Sequence, residues 1–383
     1  MIYLDNAATT RVAPEVFEAM APFLQDEYGN PSSIYALAGR AAAAMEDARR
    51  TLADFIGAGP EEIIFTGGGS EADNLAIKGT MRKHGGGHLI TSAIEHHAVL
   101  HTCRALQDEG YELTVVPVDE DGLVDPDDVR KAIRPETRLI SIMHSNNEVG
   151  TVEPIAEIAR IAREHEVRMH TDAVQSLGKL PLDVDELGVD MAAFSAHKVH
   201  GPKGVGALYI RKGFRPEPLI HGGGQERRLR AGTENVAGIV GFGRAVELLD
   251  RHGPEAVDRI RELRDRLIQG VMDAIPETIL SGHPQQRLPN IASFLFRYIE
   301  GEGILLSLDM HDIAASSGSA CTSGSLDPSH VLMAMGYPHE IAHGSLRLSL
   351  SGYTTDEEID TVLEVLPPII QRLRDMSPLY SGR

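Results

Sequence analysis

Cys321 stands in the run SSGSACTSGS, where no neighbour is large enough to lock a side chain into a core. An accessible cysteine, once a thiolate, can take an atom in one place and release it in another. Read alone, the same run also describes an inert surface thiol. Lys198, in SAHKVHGPKG, follows an apolar run among small residues, so its amine is offered for condensation with an aldehyde. Lys203 is a nearby rival, and a solvated loop lysine is the plain alternative. Asp172, in HTDAVQSLGK, follows VRMH, with Gln175 three residues on. A carboxylate so placed can keep a heteroaromatic nitrogen protonated and turn the ring into an electron sink. Taken alone, Asp172 is as readily a turn or N-cap residue.

Around these lie residues that could hold the rest of such a ligand. In FTGGGSEADNLAIK the glycines Gly67, Gly68 and Gly69 precede a helical pattern, with Ser70 read as N-cap and Asp73 in the reciprocal position. Free N–H groups at that helix start would face an anion, while the spacing matches neither a dinucleotide nor a Walker fingerprint; a bland strand-to-helix turn is the alternative. Ser195 and His197 could hold phosphate oxygens. His96, in TSAIEHHAVLHTC, could stack on a ring and shuttle protons. His97, His101 and Cys103 suggest zinc, but no second ligand pair of matching spacing accompanies them, and Cys103 reads as a small buried hydrophobe. Arg347, in SLRLSLS, offers the planar fork that grips a carboxylate, and Asn147 could hydrogen-bond cofactor or substrate.

Elements must end where these residues stand. The β-rich runs EIIFT, HLITSAI, RLISIMH, VRMHTDA, DMAAFSA and GVGALYIR alternate with helical patterns from Ser70, after His96, and from Pro154 to about Glu164. That alternation predicts an α/β fold, a largely parallel sheet with helices on both faces, and ligands in the crevice at strand ends. IIF and AAFSA lack polar alternates, as strands covered on both sides do. After about Leu249 the pattern becomes a helix from Pro254 towards Ile268, short strands in LPNIASFLF and SLRLSLS, and a helix from Thr355 to about Met376, hence a second, α+β domain. Asp327 and Pro328 read as N-cap and first residue of a helix that Gly336 ends. We expect residues 14–253 as the large domain, and residues 1–13 with 254–383 as the small one, carrying a mobile segment at about 316–327.

The 383 residues carry a net charge of −20, the wrong balance for general nucleic-acid binding. The basic string ERRLR reads better as a salt-bridged or functional loop. MIYLDNAATT has no basic n-region or long apolar stretch, and no run is long enough to cross a bilayer. Two cysteines in unlike surroundings imply free thiols, a reducing compartment and a cytoplasmic location.

The strings LDNAATT, GNPSS, FTGGGSEADNLAIKG, EHHAVL, HSNNEVG, HTDAVQSLGK, SAHKVHGPKGVG, RAGTEN, SSGSACTSGS and RLSLSGYTT, in that order, resemble the cysteine desulfurases, and the long Ser/Gly-rich segment resembles their NifS/IscS group. The resemblance implies a fold type I pyridoxal 5′-phosphate enzyme with a seven-stranded sheet, converting L-cysteine to L-alanine and leaving a persulfide on Cys321. It implies Lys198 as the Schiff-base lysine, Asp172 on the pyridine nitrogen, and His96 as stacking group and proton carrier. Gly69, Ser70, Ser195 and His197 would hold the phosphate, Gln175 the phenolic oxygen, and Asn147 cofactor and substrate. Thr233 would reach the phosphate of a neighbouring subunit in a homodimer, and Arg347 with Asn6 would orient the substrate. Delivery to an iron–sulfur scaffold protein follows, with transient ligation of a nascent cluster by Cys321. The residues do not distinguish a general scaffold from a nitrogenase-dedicated one or a transfer-RNA thiolation enzyme, nor exclude selenocysteine as a side substrate. An aminotransferase or selenocysteine-specific lyase would use the same lysine, aspartate and arginine without needing Cys321; a non-catalytic assembly factor would tolerate loss of Lys198. Two strings depart from the family pattern: GGGS stands in place of GAT, keeping a hydroxyl, and SLSGYTT lacks a basic residue after Arg347.

Overall fold

The computed structural model describes residues 1–317 and 328–380. Its strands are β1 (Ile2–Tyr3), β2 (Ile63–Thr66), β3 (His88–Ser92), β4 (Glu112–Val116), β5 (Thr137–Ser141), β6 (Arg168–Asp172), β7 (Met191–Ser195), β8 (Gly206–Ile210), β9 (Thr278–Leu280), β10 (Ile291–Phe296), β11 (Ile313–Ala314) and β12 (Ser345–Ser349). Seven of them form one sheet in the order β2-β8-β7-β6-β5-β3-β4. Pairings from β7 through β6, β5 and β3 to β4 are parallel; β8 runs antiparallel to both β7 and β2.

Burial on both faces explains the unbroken apolar strands. Alternate residues such as Ile63, Phe65, Ile140, Ala192 and Phe194 pack against Ile155, Ile158 and Phe242. Their neighbours Ile64, Leu89, Leu139, Met191 and Leu208 pack on the other face with Leu75, Ala76, Val99 and Cys103. Helices Gly69–His84, His97–Asp108 and Ile155–Glu164 lie where the helical periodicity predicts them.

A smaller α+β domain is built on the antiparallel sheet β12-β10-β9 and the parallel pair β1-β11. Leu4, Leu267, Phe294, Phe296, Leu346, Leu348, Ile359 and Leu366 form its core. The expected helix from Pro254 is the second half of a longer element, Val236–Ala274, interrupted at Gly253, where φ is 63°. Proline at the next position supplies no N–H for the helical ladder, and glycine accepts the positive φ. The final helix, Asp356–Met376, begins with a capping box from Thr355 and Glu358.

Candidate active site

The strand ends of the large sheet open into a cavity of about 310 Å³ lined by Gly69, Ser70, His96, Asn147, Asp172, Gln175, Ser195, His197, Lys198 and Arg347, together with Asp73 and Val174. Ten of the residues anticipated from the sequence are thus brought together. Each stands at or just beyond the carboxyl end of a strand, apart from Arg347, which the smaller domain contributes from β12.

After β2 the chain passes through Gly68, at φ 155°, into the helix Gly69–His84. The expected capping box is absent: Gly68 is the N-cap, Ser70 lies inside the first turn, and Asp73 is buried. Two consecutive glycines let the turn close two residues earlier than a cap at Ser70 would. A Cβ on Gly69 would stand 2.7 Å from Val174 Cγ2, so only glycine allows this approach. Glu71, the acidic residue of the first turn, is drawn aside by the Gly67 N–H and by Arg230, each at 2.9 Å. The helix therefore presents its N–H groups to the cavity without a competing carboxylate. Ser195 ends β7, and His197 sits in the 3₁₀ turn Ala196–Lys198 that follows. Burial, and then Lys198, lower the His197 pKa to about 4, leaving a neutral ring.

Asp172 ends β6, and its Oδ1 accepts the Val174 N–H at 2.9 Å. Burial raises its pKa to about 6, opposed by that N–H and by Lys198. His96 caps the helix His97–Asp108: its Nδ1 accepts the Ala98 N–H at 3.1 Å, which leaves any ring proton on Nε2. Burial and Lys198 lower its pKa to about 4. Gln175 donates from Nε2 to Ala7 O at 2.8 Å, while its buried Oε1 has no partner among the described residues. Lys198 Nζ donates to the carbonyls of Ala7 and Ala8 at 2.5 and 2.8 Å, drawing the N-terminal segment over the cavity. Lys203, the rival, is exposed and outside it.

Arg347 donates to Asn147 O at 2.8 Å and pairs with Asp5 at 2.9 Å. Asn6, expected beside it, is turned away. Its amide donates to Tyr3 O and Ser349 O at 3.1 and 2.8 Å, because the N-terminal segment is stitched to β12, and it lines neighbouring cavities. Thr233 is exposed and also lies outside this cavity.

Cys321, and with it the expected mobility of its surroundings, lies outside the described residues. Both flanks of its segment attach to residues that line the cavity or stand next to lining residues in the chain. Ser316 exchanges backbone hydrogen bonds with Arg347 at 2.7 and 3.2 Å. On the far side the helix begins at His330, with Ser329 Oγ accepting the N–H groups of Val331 and Leu332; Pro328, read as its first residue, precedes it, and Asp327 lies outside the described residues. Ser329 also donates to Glu148, and His330 Nε2 meets Glu95 O at 2.9 Å, immediately before His96. Gly336 follows that helix at φ 86°, as expected of a residue that ends it. Cys103 is buried, which pushes its thiol up to about 12 and makes it inert. In ERRLR, Glu226 is buried in a pair with Arg49 at 2.7 Å, a structural role. Sequence spacing marked Asp73 only as a cap and gave no sign of Val174 or Asp5 as neighbours of the site.

The family model described as class-V aminotransferase matches residues 2–362. A protein named cysteine desulfurase IscS from Methanosarcina thermophila is 55% identical over 380 residues, covering 99% of this chain and 94% of the relative. Among solved structures, a NifS-like protein superposes with a TM-score of 0.92 at 41% identity, over 97% of this chain and 100% of that one. A structure described as SspA in complex with cysteine gives 0.83 at 40% identity, over 93% of this chain and 100% of the other.

Proposed function

Because the chain belongs to the class-V aminotransferase family, as a cysteine desulfurase of the NifS/IscS group, we propose that it converts L-cysteine to L-alanine, holding the released sulfur as a persulfide on Cys321. Support comes chiefly from the anchoring of the cysteine segment on both sides of one cavity, by Ser316 against Arg347 and by Ser329 and His330 against Glu148 and Glu95. Cys321 follows Ser317 by four residues, and four extended residues span at most about 14 Å. We read that thiol as the group that meets a substrate held by Arg347.

The residues present fit pyridoxal 5′-phosphate. Gln175 Oε1, buried and unpartnered among the described residues, suits a polar ring substituent, and the close Gly69–Val174 approach leaves the helix N–H groups bare for a phosphate. Ser70, Ser195 and His197 would add side-chain contacts to that phosphate. Asp172 would face the ring nitrogen, His96 the ring plane, and Lys198 Nζ the aldehyde carbon. When bound, the cofactor supplies an electron sink that loosens bonds around the α-carbon of an attached amino acid.

The chain's own groups do the rest. Arg347 and Asn147 orient the substrate's carboxylate end. Lys198 Nζ, held over the site by the Ala7 and Ala8 carbonyls, would take the α-proton and return a proton as the product forms. His96, neutral and with its proton on Nε2, serves the sulfur side as proton carrier. Cys321 Sγ, as a thiolate, would attack the substrate's sulfur; the electron pair of the breaking Cβ–S bond stays on the carbon side, which is protonated on the way to alanine, and an acceptor thiolate then takes the outer sulfur and releases the Cys321 thiolate.

The reading includes a homodimer. Phe17, Leu24, Tyr28 and Ile34 are 63%, 63%, 73% and 105% exposed, an apolar stretch suited to a second copy. From its exposed loop, Thr233 would reach the other copy's phosphate. An iron–sulfur scaffold is the acceptor we favour, with Cys321 lending its sulfur to a cluster in transit; the Ser/Gly-rich segment gives the reach for this. A reducing, cytoplasmic setting suits two free thiols, and no helix among the described residues is long and apolar enough to cross a membrane. We place the domain boundary at the break around Gly253, with residues 1–13 joining the smaller unit.

Mass spectrometry after one turnover without reductant tests the assignment. We expect one extra sulfur atom on the peptide containing Cys321; extra sulfur on Cys103, or on neither cysteine, would count against it.

A further inference from the structure

Behind Asp172 lies a second buried acid that the mechanism above does not use. His170 and Asp172 are alternate residues of β6 and face the same side of the sheet. Ser141 Oγ lies 2.8 Å from His170 Nδ1. On the ring's other side, His170 Nε2 lies 3.6 Å from Asp73 Oδ1, with the two side chains 0% and 1% exposed. Neither of these facing atoms has a hydrogen-bond partner among the described residues. The remaining titratable groups influencing Asp73 are Asp172 and Glu95, and the Cys103 thiol in turn feels Glu95 and Asp73.

We propose that Asp73 is a positioning residue that keeps its proton and shares it with His170, leaving Asp172 as the carboxylate of this floor that ionises against the ring nitrogen. The inference rests on the cofactor reading above. Its physical basis is that two neighbouring carboxylates in a dry site do not both carry charge. Asp172 holds the advantage because the Val174 N–H donates to it and because a positive group faces it in either state, Lys198 in the cofactor-free chain and the protonated ring nitrogen once the cofactor is bound. Asp73 has neither, and meets an imidazole nitrogen instead.

Charge and burial agree with that division. Burial, then Asp172 and Glu95, push Asp73 well above the usual carboxylate range. Burial lowers His170 to about 3, so its ring stays neutral. With the proton of Asp73 facing Nε2 across 3.6 Å, the imidazole's own proton sits on Nδ1 and Ser141 Oγ accepts it, which fixes the tautomer. Glu95, raised to about 8 by burial, stays protonated nearby and adds no charge at neutral pH.

The test uses the full-length holoenzyme with and without ¹³C at its aspartate carboxyl carbons, read as labelled-minus-unlabelled infrared difference spectra at several pH values from 6.5 to 8.5. The label separates aspartate from Glu95. We expect a protonated-carboxyl C=O signal throughout that range, absent from Asp73→Asn and retained in Asp172→Asn. No such signal in the labelled wild type overturns the proposal without any variant, and so does a signal that survives Asp73→Asn. A second readout is the pH midpoint of the cofactor's visible band. Asp73→Asn should move it by less than about 0.3 unit, since a neutral group replaces a neutral group; a fall of a unit or more would show that Asp73 is charged and sink the idea. Repeating the infrared measurement after cofactor removal separates the two failures, because the Asp73 proton does not depend on the cofactor being present.

Discussion

Arg347 Nη2 lies 2.9 Å from Asp5 Oδ1, so the guanidinium assigned to the substrate carboxylate is already paired with a carboxylate of its own chain. Nη1 is held by Asn147 O, while Nε, buried, has no partner among the described residues. Asp5 itself bridges to Ser349, two residues along β12. The fork is thus pre-aimed with its charge partly balanced, and an arriving α-carboxylate must compete with Asp5.

That relationship predicts opposite effects from two substitutions. Arg347→Lys, which keeps the charge and loses the fork, should lower kcat/KM for cysteine by about 10²–10³-fold, or about 3–4 kcal/mol, with the cofactor band intact. Asp5→Asn removes the competitor and should lower KM by about 2–5-fold. Steady-state kinetics on the two variants checks both, and a raised KM in Asp5→Asn would mean that Asp5 is needed to aim the arginine.

Lys198, rather than Lys203, should carry the cofactor. Borohydride reduction followed by peptide mapping is expected to fix the cofactor on Lys198 in the wild type and in Lys203→Ala. In Lys198→Ala no peptide should be modified, and a label on Lys203 would contradict the assignment.

Stability above neutral pH should depend on Glu95. Burial raises its folded-state pKa from 4.5 to about 8, opposed by hydrogen bonds from Ser92 and the Met143 N–H. A raised folded pKa means that the folded state binds the proton more tightly, so this contribution is present below the unfolded value and lost as pH rises towards 8. Glu153, also raised to about 8, acts in the same sense, whereas Lys179, lowered to about 7, acts in the opposite sense above that pH. Glu95→Gln keeps an oxygen for both donors and removes the titration. Relative to wild type it should gain about 2–3 kcal/mol between pH 6 and pH 8.5, measured by denaturant unfolding at each pH. Parallel stability curves for the two proteins would show that Glu95 does not titrate there.

The chain's alternation of apolar runs and helical periods was enough to anticipate the sheet and the strand-end crevice, because burial on both faces leaves a plain signature in strands such as Met191–Ser195. Residues marked by local chemistry, among them Lys198, Asp172 and His96, arrived in one cavity as their places at strand ends implied. Long-range contacts left no local trace. Asp5 and Arg347 are 342 positions apart, and nothing in either neighbourhood announces the pairing. Asp73 shows the converse error: its spacing from Ser70 fits a capping box, but the N-cap is Gly68, two residues earlier, and the helix carries Asp73 into the buried floor. Asn6 stands outside the lining of that cavity for a similar long-range reason, since its amide nitrogen holds the N-terminal segment to β12.

Most direct of all is alanine release from L-cysteine, with reductant present, by the wild type and by Cys321→Ala, each checked for its visible cofactor band. The persulfide role predicts that the band persists in both while turnover of cysteine collapses only in the variant. Full-rate alanine release by Cys321→Ala would contradict it, and would return the chain to an aminotransferase-like or lyase reading in which that thiol has no part.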